Sequence, residues 1–153
     1  MNTKSVRSDD IYETCERTYA VFQIKLPDEF DPSEITKIFG LQPTDSQKKG
    51  EYREKFSSKR RIAPVSGWSL SSEGIVDSLD LPDHLVWLLD RLLPVANQIK
   101  DLQNEPDIEM WVKCIWWSKE GGGGWNLTPK QMRGFGELNL MCGFELSFYG
   151  PDE

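Results

Sequence analysis

From Arg17 to Leu26 apolar and polar positions alternate along the chain. Ala20, Phe22, Ile24 and Leu26 stand against Tyr19, Val21, Gln23 and Lys25, the two-residue period of a strand. Pro27-Asp28 ends the alternation. Asp31-Pro32-Ser33-Glu34 then has the form of a helix start, with Asp31 as N-cap and Pro32 at the first helical position. Ile35, Ile38 and Phe39 make its apolar stripe, and Gly40 closes a short helix. Ser66 to Ser71 reads as a short strand that buries Trp68 and Leu70. Leu81-Pro82-Asp83 opens the major helix, with Leu85, Leu88, Leu89 and Leu92 as its core stripe and Trp87 on a flank. Pro94 kinks that helix or begins a second segment carrying Val95, Ile99 and Leu102. Ile108 to Ser118 is a tryptophan-rich strand, followed by a permissive turn at Gly121 to Gly124. Thr128-Pro129 starts another helix, predicted to turn Met132, Phe135 and Leu138 inward. Gly143 to Tyr149 is the last strand, with Phe144, Leu146 and Phe148 on one side.

The order is therefore strand, helix, strand or hairpin, long helix, strand, helix, strand. It predicts an α+β fold: an antiparallel or mixed sheet of about 4–5 strands with helices packed on one face, ferredoxin-like in topology. A chain of 153 residues suits one complete core. Residues 1–16 are polar and without period and read as a loosely ordered arm. Residues 17–150 form a single domain, interrupted at 48–61 by a basic loop or edge hairpin.

Charge sharpens that last feature. The chain carries a net charge of −7, which argues against a general binder of nucleic acid or anionic membrane. Yet Lys48, Lys49, Arg53, Lys55, Lys59, Arg60 and Arg61 crowd one segment, against Glu51 and Glu54 alone. No apolar run approaches the roughly 20 residues that cross a bilayer, and the N-terminus lacks the apolar stretch of a signal peptide. A cytoplasmic location is the expectation. Cys15, Cys114 and Cys142 are odd in number and far apart, so reduced, buried thiols are expected rather than a disulfide framework.

Candidate chemistry is sparse. His84 is the single histidine, beside Asp83 at the start of the long helix. A general base there is conceivable, and a hydrolase using carboxylates with His84 is one alternative function; a first-turn surface residue is the expected role. One histidine and three dispersed cysteines do not make a zinc site. The acids at Asp28, Glu29 and Asp31 and at Asp77, Asp80 and Asp83 lack the ligand alternation of a calcium loop and read as helix-start acids. Ser66-Gly67-Trp68-Ser69 is no nucleophile elbow, and the glycine run is not followed by a phosphate-binding helix. No catalytic residue, metal or cofactor is assigned.

Two features remain. In the basic segment Arg53, Lys55, Lys59, Arg60 and Arg61, interleaved with Tyr52 and Phe56, have the chemistry of phosphate or acidic-partner contacts, and the plainer reading is a solvated loop. In the tryptophan-rich strand, if Met110, Val112, Cys114 and Trp116 point to the helices, then Trp111, Lys113, Ile115 and Trp117 point away from them. That second row is too apolar to leave in water and suggests a protein partner or self-association, unless residues such as Ile11 and Tyr12 or the basic loop fold over it.

The assembly of short patterns resembles the bacterial family catalogued as domain of unknown function 4279. The matching pieces are Tyr19 to Leu26 with Asp31-Pro32-Ser33-Glu34-Ile35; Leu41-Gln42-Pro43; Gly67-Trp68-Ser69-Leu70; Leu85 to Leu93; Leu127-Thr128-Pro129; and Gly143-Phe144-Glu145-Leu146. The resemblance implies no activity and no catalytic residues. The expected function is a non-enzymatic cytosolic interaction module binding a protein partner, an immunity or inhibitor protein being one version. The alternative is small-ligand or nucleic-acid binding through the basic 48–61 segment.

Overall fold

The computed structural model describes residues 14–53, 61–120 and 122–148. Strand β1 (Cys15–Leu26) runs through the centre of the molecule, two residues earlier than its alternation suggests. A register shift between Cys15 and Arg17 turns Cys15 into the core, as a bulge does. The predicted arm otherwise lies outside the described residues.

Helix α1 (Pro32–Phe39) forms where its signals place it. Asp31 accepts a hydrogen bond from the Ser33 amide at 3.0 Å. Gly40 takes the left-handed conformation, φ 65°, that lets its amide reach the Thr36 carbonyl. Ile35 and Phe39 are buried, and the Phe39 ring meets Trp68 edge-on at 5.4 Å while Trp68 Nε1 donates to Thr36 Oγ1.

The chain then makes β2 (Asp45–Gln47), a small hairpin of β3 (Tyr52–Arg53) and β4 (Arg61–Ile62), and β5 (Ser66–Ser71). Strands β3 and β4 pair only with each other, as a two-stranded sheet apart from the main one; residues 54–60 of the basic segment lie outside the described residues. Helix α2 (Leu81–Leu92) buries Leu81, Leu85, Leu88 and Leu92 completely, each contributing about 2 kcal/mol relative to exposure. Pro94 breaks it into a 3₁₀ turn over Leu93–Val95, and α3 (Ala96–Gln103) continues with Ile99 and Leu102 inward. Strand β6 (Glu109–Ser118), helix α4 (Pro129–Glu137) and strand β7 (Met141–Phe148) complete the order.

Thr128 and Gln131 close a reciprocal capping box at the start of α4. The buried face of α4 is Gln131, Gly134 and Phe135, continued by Leu138; Met132, expected inward, is 54% exposed. The three- and four-residue spacing from Gln131 sets the buried stripe, and Met132 falls beside it. Gly134 matters for packing: a Cβ there would lie 2.9 Å from Leu89 Cδ2, so its absence lets α4 close on α2.

Five of the seven described strands make a mixed sheet in the order β2-β5-β1-β6-β7, with only β6 and β7 parallel. Ala20, Phe22, Ile24, Leu26, Trp68, Leu70, Val112, Cys114 and Trp116 share a core with the buried residues of the helices. The expected α+β class is therefore observed. The order β2-β5-β1-β6 follows the expected ferredoxin-like pattern, with β1-α1-β2 split by β5 and β5 joined through α2 and α3 to β6 across β1; α4 and β7 extend it by a strand parallel to β6.

Candidate interaction face

A strand turns successive side chains to opposite faces, so the helix-packed core of the sheet implies a second, outer face. The registers place Tyr19 opposite Ile115, Val21 opposite Lys113, Gln23 opposite Trp111 and Arg17 opposite Trp117. The four residues picked from the tryptophan-rich strand therefore do share one face, centred on the two longest strands. Ile115 and Val21 are buried on it, yet neither belongs to the helix-packed core. Trp111, Lys113, Trp117 and Tyr19 flank them, half-buried.

Fixed charges organise both ends. The Arg17 guanidinium lies 4.6 Å from the Trp117 ring centre and 5.1 Å from that of Tyr19, and pairs with Glu73. Such stacking contributes about 0.5–1 kcal/mol at an exposed site and holds the aromatic planes in place. Burial, and after it the charge of Glu73, pushes the Tyr19 phenol above its usual value of 10.0. In the middle, Lys113 pairs with Glu145 of β7 at 3.0 Å.

At the other end Trp111 forms one wall of an open pocket of about 230 Å³. Its floor includes Gly67 and Ser69, and Gln23, Lys25, Asp45 and Gln47 stand around it. Any side chain at position 67 would extend from a Cβ only 3.2 Å from the Ile24 carbonyl oxygen, into the space that the glycine leaves open.

In the basic segment Arg53 donates to Gln47 and pairs with Asp45, bracing the hairpin against β2 at the pocket rim. Gln47 in turn donates to the Val65 carbonyl at 2.8 Å, and Lys49 pairs with Asp28 at 2.8 Å. Lys55, Lys59 and Arg60 lie outside the described residues, as does the side chain of Arg61.

His84 is elsewhere than expected. It is 1% exposed, on the buried side of α2, not on the surface of its first turn. The Leu81, Leu85, Leu88 stripe includes position 84, and Leu81 in the first turn was the signal that places it inside. Nε2–H donates to the Ser78 carbonyl at 2.8 Å, so Nδ1 accepts from the Ser72 hydroxyl at 2.7 Å. Ser72 Oγ itself accepts from the Ala20 amide at 2.9 Å and is fully buried. A serine and a histidine in contact are the parts of a nucleophile and its base, but a nucleophile must meet a substrate, and both groups here are sealed in the core. The pair pins the end of β5 and the loop after it to α2. The Asp83 carboxylate accepts from Ser78 Oγ at 2.6 Å rather than from His84.

The cysteines carry free thiols. Burial pushes Cys114 up to about 12 and Cys142 up to about 11, far from the range of reactive thiolates. Among the described residues no group of three histidine, cysteine or acidic side chains is placed to hold a metal ion. None of their helices is long and apolar enough to cross a membrane.

Reasoning from the sequence missed the Arg17 stack, the Gly67 pocket and the Ser72–His84 pin. The first two join residues distant in the chain through the sheet order, and the third joins the loop after β5 to a helix, so no local spacing announces them. Compared with known proteins, residues 16–149 match the model of the family described as Domain of unknown function (DUF4279). No curated protein and no solved structure matches.

Proposed function

Since the chain belongs to the DUF4279 family, whose description carries no activity, we propose a function from the geometry alone: a non-enzymatic module that binds a protein partner through the outer face of its sheet. The observation that carries this reading is the face itself. It holds Tyr19, Trp111 and Trp117 half-exposed around Val21 and Ile115, separate from the helix-packed core. Aromatic anchors with a polar rim are what recognition surfaces use, and Gln23, Lys25 and the Arg17–Glu73 pair supply the rim. The Gly67 pocket beside Trp111 offers a recess for a partner side chain. Charge contrast between the basic hairpin and the acidic body steers orientation.

The concrete version is a bacterial, cytoplasmic immunity or inhibitor protein that occupies the surface of a toxin or other effector. A single acidic domain with free thiols suits that setting. A photo-crosslinking residue at position 111 tests the surface. It should capture a defined protein in the source cells, which after purification binds wild type and not Trp111→Ser/Trp117→Ser. Equal binding by a folded double variant would refute the face. For the inhibitor version, co-expression should restore growth of cells making an effector encoded beside the gene; no such neighbour, or no rescue, would count against it.

A further inference from the structure

The two edges of the sheet are finished differently. Edge strand β2 is three residues long and is held down by Arg53 from the adjoining hairpin. Edge strand β7 is eight residues long, pairs with β6 without a break in register, and contains no proline, lysine or arginine. Short strands, bulges, prolines and lysines are the usual protections of an edge, and β7 has none of them. Its one charge, Glu145, is paired inward with Lys113. Among the described residues β7 has a neighbour on one side only, so half of its backbone amides and carbonyls face outward.

The side chains along that edge are apolar as well. Phe144, Leu146 and Phe148 share the helix side of the sheet and are 40%, 48% and 55% exposed, although Trp125 stacks on Phe144 at 5.2 Å. The segment Phe144-Glu145-Leu146-Ser147-Phe148 has the same apolar–polar pattern read in either direction about Leu146.

We propose that β7 pairs antiparallel with β7 of a second copy of this chain, about a twofold axis at Leu146. That register sets Phe144 against Phe148 of the second copy, Leu146 against its own equivalent, and Glu145 against Ser147. Opposed aromatic and aliphatic side chains in contact are what stabilises an antiparallel pair. The neighbouring registers are worse. An axis at Glu145 opposes two like charges, and one at Ser147 leaves Phe144 unmatched. An axis between residues turns the apolar row of one copy to the polar row of the other. A symmetric patch that is its own complement is the requirement of a closed dimer. The product is one continuous sheet across both copies, with the two outer faces side by side. The proposal does not depend on what binds those faces.

Sedimentation equilibrium across a concentration series tests it. Wild type should show twice the chain mass. Leu146→Lys and Leu146→Glu should each be monomeric with unchanged circular dichroism, and an equimolar mixture should recover the dimer because the two positions oppose each other. Phe148→Lys, at the more exposed site, repeats the test should either variant fold poorly. Trp111→Ser/Trp117→Ser should remain dimeric, which separates this edge from the outer face. Wild type that stays monomeric at every concentration, or a dimer indifferent to the position 146 and 148 variants, overturns the proposal.

Discussion

His84 and Ser72 act as fasteners inside this core. His84 joins the carbonyl of Ser78 to the hydroxyl of Ser72, and Ser72 holds the Ala20 amide in the middle of β1. His84→Ala leaves those buried groups without partners and opens a cavity, so it should cost about 3 kcal/mol in urea unfolding. Ser72→Ala should cost less, because the imidazole keeps its bond to Ser78. A loss below that of ordinary surface substitutions would mean the pin carries no load. The cysteines give a pH signature. Folding raises Cys114 from 9.0 to about 12 and Cys142 to about 11. A folded value above the unfolded one means the contribution is whole below pH 9.0 and is lost as pH rises through the folded values. Stability should therefore fall between about pH 9 and 12, and Cys114→Ala/Cys142→Ala should flatten the fall. Tyr19, also raised, keeps part of the slope in the double variant. An unchanged slope would contradict the burial of the thiols.

The helices form where caps and stripes coincide, and glycine marks where they touch. Gly134 and Gly136 sit two residues apart in α4, yet a Cβ meets Leu89 at the first and open space at the second. Gly136→Ala should raise the midpoint of thermal unfolding, since alanine favours helix by about 1 kcal/mol. Gly134→Ala should lower it, because the buried Leu89 must move; equal gains at both would contradict the close approach of α2 and α4. At this scale much of the fold was legible. Asp31, Pro32 and Gly40 bracket α1, Thr128 and Pro129 open α4, Pro94 breaks the long helix, and two-residue alternation separates Trp111, Ile115 and Trp117 from Val112, Cys114 and Trp116. The rest depended on which strands become neighbours. Arg17 finds Trp117 and Trp111 stands near Gly67 only because β1 lies between β5 and β6. The parallel placement of β7 follows from a crossover through α4, which strand patterns do not encode. Misplacing His84 and Met132 was a different error, in which the stripe was started one residue too late or widened by one position.

For the molecule as a whole, the layers divide the labour. Helices and one sheet face hold the core, a short braced strand protects one edge, and the outer face carries aromatic side chains between fixed charges. A face proposed for recognition and a face that packs the core should answer differently to the same substitution. Truncating a buried tryptophan such as Trp68 should cost about 3–5 kcal/mol. Trp111 and Trp117 should cost far less together, since both stand outside the helix-packed core. The most direct measurement is therefore a paired one on Trp111→Ser/Trp117→Ser: urea unfolding, and binding to the protein crosslinked from position 111. The account predicts a folded variant, only slightly destabilised, that no longer binds. A variant that unfolds, or one that stays folded and binds as wild type does, would contradict it.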